Sequence, residues 1–330
     1  MTRIAINGFG RIGRNLFRLL LNHPTIEVVA INDIADNKTM AHLLKYDSIH
    51  GVLPYKVVPN DTGFYVEEAH FLFFHEKNIA ALDWKTLDID YVIESTGKFK
   101  TFDEINAHIL AGAKKVILSA PSEVDNIKTV VLGVNEAILD GTETIISNAS
   151  CTTNNAAPMM KIIDELCGIK EAYITTIHSY TTDQSLHDQP HKDLRRARGA
   201  SQSIVPTTTG AAKAITKIFP TLDGKIGGCG IRVPVPDGSL TDITFNVKRA
   251  VTIEEINAAF KDAAQNSLKG ILDYTEDPIV SVDVIGNTHS CLFDAQLTSV
   301  IDKMVKVVGW YDNEIGYSSR IIDLIELTKK

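Results

Sequence analysis

Cys151 lies in the stretch SNASCTTNN, Ser147 to Asn155, after an apolar run (Thr144, Ile145, Ile146) and before AAPMMKIIDELCG, which is patterned as a helix. A thiol at a helix N-terminus faces the positive end of the helix dipole, which lowers its pKa from about 8.5 and raises the thiolate fraction. A cysteine among small polar residues also lacks the packing role of a buried one. Such a nucleophile needs a base or an ion-pair partner. His178, in TTIHSYTT on a predicted strand early in the same half of the chain, is the candidate among ten histidines. Cys167, Cys229 and Cys291 sit in apolar or glycine-containing surroundings and read as core residues.

A second chemical signal stands near the start of the chain. INGFGRIGRNLFR places Gly8, Gly10 and Gly13 in G-x-G-x-x-G spacing, after a predicted strand and at the opening of a predicted helix. In that setting the first glycine permits a tight turn, the second lets the backbone approach a pyrophosphate, and the third allows close helix–strand packing. The helix N-terminus then favours the phosphate charge. The next strand ends in AIND, which puts Asp33 where a carboxylate accepts the adenosine ribose hydroxyls. The same carboxylate repels a 2′-phosphate, so NAD is favoured over NADP. The plain alternative for Asp33 is a turn or helix-cap residue.

A NAD site joined to a thiolate indicates aldehyde oxidation. The thiolate adds to the aldehyde carbon, hydride leaves the tetrahedral species for nicotinamide, and a thioester remains. A backbone N–H at the Cys151 helix terminus is suited to hold the oxyanion. Metal-ligand spacings are absent: HFLFFHEKN is not H-E-x-x-H, and no Cys/His cluster occurs.

These groups must be positioned by two kinds of architecture. The first half alternates strands and helices: RIAIN, GRNLFRLLLNH, IEVVAIND, YVEEAHFLFFH, DYVIEST, TFDEINAHILAGA (with Thr101 or Asp103 near its start), KKVILSAP and TVVLGV. That alternation predicts a mainly parallel, doubly wound sheet of the Rossmann type. In the second half strands run in succession: KEAYITTIHSYTT, GCGIRVPVPDGS, LTDITFNVKRA, VSVDVIG, CLFDAQLTSVID and MVKVVGWYD. TIEEINAAFKDAAQNSL interrupts them with a capping box at Thr252 and Glu255. This predicts an α+β domain with a mainly antiparallel sheet. NEIGYSSRIIDLIELTKK is an amphipathic helix expected to return to the first domain. The expected division is 1–149 with 314–330 for the dinucleotide domain and 150–313 for the catalytic domain. A chain of 330 residues suits two domains.

The net charge of −8 gives no general drive toward nucleic acid or an anionic membrane. Four scattered cysteines without a CxxC pair suit a reducing compartment. MTRIAINGFG enters a strand without a signal-type apolar region, and no apolar run approaches the ~18 residues of a membrane span. The expected location is the cytoplasm.

Taken together, INGFGRIGR, AINDIAD, LLKYDSIHG, SNASCTTN, HSYTTDQ, HKDLRRARGAS, PTTTGAAKA, RVPVPDGS and GWYDNEIGY resemble the phosphorylating glyceraldehyde-3-phosphate dehydrogenases over essentially the whole chain. The resemblance implies Cys151 as nucleophile and His178 as its base. It implies Thr181 and Arg232 at the phosphate of the substrate, Ser150, Thr152, Thr209 and Gly210 at the attacking inorganic phosphate, and Arg196 as a further anion contact. Cofactor contacts are implied for Arg11, Ile12, Asp33, Lys77 and Ser119, with Asn313 at the nicotinamide carboxamide and Tyr317 nearby. The implied reaction converts D-glyceraldehyde 3-phosphate, phosphate and NAD⁺ to 1,3-bisphosphoglycerate and NADH, in glycolysis or gluconeogenesis. A homotetramer is also implied, with the loop from Thr181 to Gln202 packed near a neighbour's cofactor site. Two positions depart from the pattern. Asn155 stands where many members carry a second cysteine. Gln189 replaces the leucine common in NAD-specific members, which loosens exclusivity for NAD. The sister activity sharing this chemistry is erythrose-4-phosphate dehydrogenase, which hydrolyses the thioester. A semialdehyde dehydrogenase is disfavoured by the paired anion sites, and the basic HKDLRRAR segment makes RNA binding at most secondary in an acidic chain.

Overall fold

The structure is a computed structural model that describes residues 1–122 and 124–329. Its seven α-helices among those residues are α1 (Arg11–Leu20), α2 (Asn37–Lys45), α3 (Phe102–Leu110), α4 (Cys151–Cys167), α5 (Ala211–Ile218), α6 (Ile253–Gln265) and α7 (Ile315–Thr328). The chain forms two compact units. The first comprises Met1–Val130, Ala137–Ala149 and the chain from Ser318 onward; the second comprises Val131–Glu136 and Ser150–Tyr317.

The first unit is built on a nine-stranded sheet. Its order is Lys128–Thr129, Ile145–Ser147, Lys115–Leu118, Tyr91–Glu94, Thr2–Asn7, Ile26–Asn32, Ala69–Phe74, Gly63–Val66, Val57–Asn60. The first seven run parallel, and the last two pairings, Ala69–Phe74 with Gly63–Val66 and Gly63–Val66 with Val57–Asn60, are antiparallel. The central strands are apolar and buried almost continuously, as a sheet covered on both faces requires. Strand order reverses at Thr2–Asn7, which has Ile26–Asn32 on one side and Tyr91–Glu94 on the other. Ligands bind at the carboxyl ends of strands at such a switch point. Register there aligns three polar residues, with Asn7 opposite both Asn32 and Glu94. α3 is capped by Thr101, whose hydroxyl and Glu104 form a capping box.

The second unit holds an eight-stranded sheet, ordered Val205–Thr207, Ile226–Val233, Ile169–Ser179, Ser239–Val247, Met304–Tyr311, Cys291–Asp294, Leu272–Thr275, with Ser299–Ile301 also on Met304–Tyr311. Its pairs are antiparallel except two, Ile169–Ser179 with Ile226–Val233 and Leu272–Thr275 with Cys291–Asp294. Ser239–Val247 alternates buried and less buried residues, with one side against the core. The expected capping box of α6, Thr252 with Glu255, is present.

Several elements differ from the sequence reading. YVEEAHFLFFH is a hairpin, Gly63–Val66 and Ala69–Phe74, turned at Glu67 with φ 52. VSVDVIG is a 3-10 turn, Ser281–Val284, and CLFDAQLTSVID is broken by another at Ala295–Leu297, where the Asp294 carboxylate accepts from the Gln296 N–H. TVVLGV contributes only Thr129 to the sheet, in the two-residue strand Lys128–Thr129. Against the domain limits drawn from sequence, 131–136 and 314–317 lie with the second unit. Packing explains both. A Cβ on Gly133 would lie 2.5 Å from Leu268, and one on Gly316 would lie 2.5 Å from the His289 carbonyl.

Candidate active site

The first unit has a cavity of about 400 Å³ at the switch point, lined among others by Gly8, Gly10, Asp33, Ile34, Lys77 and Thr96. That volume is ordinary for a small-molecule site. The three motif glycines are used differently. Gly8 has φ 97, and a Cβ there would lie 2.6 Å from the Thr96 nitrogen. A Cβ on Gly13 would lie 2.2 Å from the Gly8 carbonyl oxygen, so only glycine lets α1 pack against the turn. A Cβ on Gly10 would meet nothing within 4 Å. The backbone thus borders open space where α1 begins, and no side chain caps that terminus. Its first N–H groups suit an anion.

Asp33 accepts from the Phe9 N–H at 2.8 Å and from the Ala35 N–H at 3.1 Å. It is therefore a turn residue, and its carboxylate keeps lone pairs for a ribose hydroxyl on the cavity wall. The apolar sides of Ile34, Ile79 and Phe99 complete a wall suited to a flat base. These residues fit a dinucleotide. Arg11 and Ile12 begin α1. The Arg11 guanidinium is held by Asp47 through two hydrogen bonds, 2.5 and 3.1 Å. Burial works against the Asp47 anion, but Arg11 and the His50 and Ile49 N–H groups hold its carboxyl far below the usual carboxylate range. Ser119 follows the strand Lys115–Leu118, donates its N–H to the Glu94 carbonyl at 2.9 Å, and lies outside the cavity lining.

In the second unit the chain enters α4 from Ala149 at φ 56, with Ser150 as N-cap and Cys151 as the first helical residue. The Cys151 Sγ lies 3.5 Å from Nε2 of His178. The parallel pairing that follows sets His178 directly beside Arg232. Nη1 of Arg232 lies 2.6 Å from His178 Nδ1 and donates to the Ser179 carbonyl at 2.8 Å. The same carbonyl lies 2.8 Å from Nδ1. Nδ1 thus has a donor and an acceptor within reach, so either neutral tautomer finds a partner. With Arg232 donating, the hydrogen sits on Nε2 and faces the sulfur. With Ser179 accepting, Nε2 offers a lone pair to the thiol.

Burial pushes the Cys151 thiol up, while the Arg232 charge and the Thr152 N–H and hydroxyl pull it down. Burial is the larger effect, which reverses the lowering expected from the helix terminus alone. Burial and then the Arg232 charge press His178 down to about 3. Both shifts favour the neutral pair, thiol and imidazole, over the ion pair.

The two hydroxyls flanking the thiol already have partners. Ser150 Oγ accepts from the Thr153 N–H at 3.1 Å and lies 2.8 Å from the Thr153 hydroxyl. Thr152 Oγ1 lies 2.9 Å from the Tyr311 hydroxyl, which also reaches Thr176 at 3.1 Å. Arg196 binds Asp183, the Thr207 hydroxyl and the Thr208 carbonyl, and its charge is felt at His178. Thr209 accepts from the Ala211 N–H at 3.2 Å, and Gly210 is the N-cap of α5. Thr181 follows His178 by three positions and is half-buried. The Asn313 Oδ1 accepts from the Ser179 and Ser239 hydroxyls at 2.9 and 2.7 Å, which turns its amide NH₂ outward from that pair. Tyr317 is buried in the first turn of α7. Sequence reasoning missed Tyr311, Ser179, Ser239 and Asp183. For Thr176 the signal was present, since it precedes His178 by two on one strand and shares its face.

An open, mainly parallel sheet with a glycine turn at its switch point and a carboxylate just after the next strand is the architecture of a dinucleotide-binding domain, and with the Cys151–His178 pair in the same chain the class is an NAD-dependent oxidoreductase. The chain belongs to the glyceraldehyde 3-phosphate dehydrogenase family. Residues 2–102 match its NAD binding domain and residues 150–313 its C-terminal domain. The chain is 54% identical over 335 residues to the glyceraldehyde-3-phosphate dehydrogenase of Mycobacterium avium, covering 99% of this chain and 98% of that one. It is 52% identical over 324 residues to the enzyme of that name from Geobacillus stearothermophilus, covering 98% and 96% of the two chains. A Streptomyces avermitilis relative, glyceraldehyde-3-phosphate dehydrogenase 2, is 53% identical over 325 residues, covering 98% and 97% of the two chains. NAD is the cofactor.

Proposed function

We propose that this enzyme oxidises D-glyceraldehyde 3-phosphate and captures the product on inorganic phosphate, giving 1,3-bisphosphoglycerate. The observation that carries the reading is the thiol of Cys151 at 3.5 Å from an imidazole whose far side is held by Arg232. The Cys151 sulfur adds to the aldehyde carbon as its proton passes by way of Nε2 of His178 to the aldehyde oxygen, giving a hemithioacetal. The hemithioacetal oxygen then returns that proton to Nε2 as the carbonyl reforms. Bound NAD supplies the hydride acceptor. The acyl group remains on sulfur as a thioester. A phosphate oxygen attacks its carbon, the C–S bond breaks, and the acyl phosphate leaves a Cys151 thiolate that regains the proton from His178.

Anion contacts follow from donor chemistry. Arg232 with Thr181 receives the substrate phosphate, and Arg196, Thr209 and the N–H groups at Gly210 receive the attacking phosphate. For Ser150 and Thr152 the existing partners favour backbone N–H donation at the α4 terminus over their hydroxyls. Asp33 takes the adenosine ribose, the α1 terminus at Gly10, Arg11 and Ile12 the pyrophosphate, and Asn313 the carboxamide, with Lys77, Ser119 and Tyr317 at its margins. We also read the enzyme as cytoplasmic, working in glycolysis or gluconeogenesis, and as a homotetramer. Among the described residues no helix is long and apolar enough to cross a membrane. The loop after Thr181 exposes Leu186 and Leu194 by 66% and 81%, apolar surface suited to a neighbouring subunit.

The test is a spectrophotometric assay with glyceraldehyde 3-phosphate, run with NAD or NADP and with or without phosphate. Strict phosphate dependence with NAD preferred is expected. NADH production independent of phosphate would replace this reading with a hydrolysing dehydrogenase.

A further inference from the structure

Beneath the switch-point cavity lies a buried polar chain that the chemistry above does not use. Trp84, His108, Glu94, Asn7 and Asn32 are at most 4% exposed. The indole Nε1–H of Trp84 donates to Nδ1 of His108 at 3.0 Å. Indole is only a donor, so Nδ1 carries no hydrogen, and the ring is neutral with its hydrogen on Nε2. That hydrogen points to Glu94 Oε2 at 3.2 Å. Asn7 Nδ2 donates to the same oxygen at 2.5 Å. Glu94 Oε1 accepts from the Thr96 N–H at 2.9 Å and the Thr96 hydroxyl at 2.5 Å. All four donors are neutral, and the chain continues through Asn7 Oδ1, which accepts from Asn32, to the Glu76 N–H held by Asn32 Oδ1.

Both ends of this chain are cavity wall, since Thr96 and Glu76 line it. The Thr96 end also fixes the glycine turn. Thr96 N would lie 2.6 Å from a Cβ on Gly8, and the Ser95 hydroxyl donates to the Gly8 carbonyl at 2.7 Å. A buried carboxylate needs its donors, because leaving even one charged hydrogen bond unmade is costly. Glu94 therefore holds the Ser95–Thr96 backbone against Gly8, and His108 holds Glu94. The sheet register that aligns Asn32, Asn7 and Glu94 makes the arrangement rigid.

We propose that Glu94, oriented by His108, is a positioning residue that sets affinity for the adenosine half of NAD by fixing the Thr96–Gly8 wall of the cavity. This rests on reading the cavity as the adenosine site. The experiment measures Kd for ADP-ribose, KM for NAD and kcat. Glu94→Gln keeps the shape but loses the charge, and is expected to weaken ADP-ribose about tenfold, the size of one charge-assisted hydrogen bond, with the effect falling in KM for NAD. His108→Leu should match it. His108→Gln, whose amide keeps an acceptor toward Trp84 and a donor toward Glu94, should restore affinity to within about twofold of wild type. Asp33→Asn tests the cavity separately. If Asp33→Asn leaves ADP-ribose binding unchanged, the cavity assignment fails. If Asp33→Asn weakens binding while Glu94→Gln and His108→Leu do not, the cavity stands and the positioning role is overturned. Should the variants not fold, hydrogen exchange on the wild-type enzyme decides: the Thr96 amide should exchange at least about tenfold slower than an open loop amide, and an unprotected Thr96 amide would overturn the proposal.

Discussion

His178 and His108 are both buried, 6% and 0% exposed, and both meet a donor-only group at Nδ1. For His178 the donor is Arg232 Nη1 at 2.6 Å; for His108 it is Trp84 Nε1 at 3.0 Å. They differ in what else is in reach. His178 Nδ1 has the Ser179 carbonyl at 2.8 Å as an alternative, and its Nε2 faces a thiol. Among the described residues, Trp84 is the one hydrogen-bond partner at His108 Nδ1, and Nε2 faces the Glu94 carboxylate, with Asn7 Nδ2 beside it at 3.3 Å. A proton moved onto His178 Nδ1 exchanges the Arg232 donor for the Ser179 acceptor, while Arg232 Nη1 keeps its own bond to that carbonyl. One moved onto His108 Nδ1 would confront an indole hydrogen and strip Glu94 of a donor. Unmade buried hydrogen bonds cost ~1–3 kcal/mol each. Burial alone therefore does not separate the histidine we propose for catalysis from a structural one; an alternative acceptor at Nδ1 does.

The strongest way to break this contrast is at the thiol that only His178 faces. Cys151→Ser should lower kcat by ~10⁴-fold or more, as loss of a covalent nucleophile does, while NAD still binds with wild-type Kd. Turnover near the wild-type level would remove the covalent route and, with it, the need for a tautomer-switching partner. Next comes the imidazole. His178→Asn should lower kcat ~10²–10⁴-fold, the range for general acid–base catalysis, with KM for the aldehyde changed far less. An equal fall in the His108→Gln variant would erase the distinction drawn between the two rings.

Much of the chemistry was legible in the sequence because it depends on local spacing. Gly8, Gly10 and Gly13, the carboxylate at Asp33, the thiol at the start of a helix, and the Thr252/Glu255 box each lie within one element and its flanking turn. What required the fold was register. His178 and Arg232 are 54 positions apart and meet only because Ile169–Ser179 pairs in parallel with Ile226–Val233. Asn7, Asn32 and Glu94 align across three strands, and His108 on its own reads as one polar residue on a helix. Charge was the other gap. The helix terminus argued for a lowered thiol pKa, but burial, which follows from packing, pushes Cys151 the other way.

A third test uses pH. The folded value of about 3 for His178 lies below the ~6.5 of an unfolded histidine. As pH falls from ~6.5 toward that folded value, the unfolded chain takes up a proton that the native ring refuses, so His178 costs the fold up to ~1.4 kcal/mol per pH unit. His178→Asn removes that term. Calorimetric melting between pH 7 and 4 should show wild type losing stability more steeply than the variant. Parallel curves would mean the native ring protonates freely, and the neutral resting pair would be wrong.

The smallest expected effect sharpens the contrast most closely around the ring. His178 packs edge-on against Tyr311, with centroids 6.0 Å apart. Burial pushes the Tyr311 phenol well up, so it stays protonated. With one hydrogen it donates to one of Thr152 and Thr176 and accepts from the other. Tyr311→Phe keeps the ring against His178 but leaves both buried threonines short of a partner, costing ~1–2 kcal/mol of stability. Because the ring contact survives, His178 keeps its orientation, and kcat should fall less than about tenfold. A fall as deep as that of His178→Asn would mean that the phenol hydroxyl takes part in proton transfer. The freedom to exchange tautomers would then belong to a network reaching Thr152 and not to the His178 ring with Arg232 and Ser179.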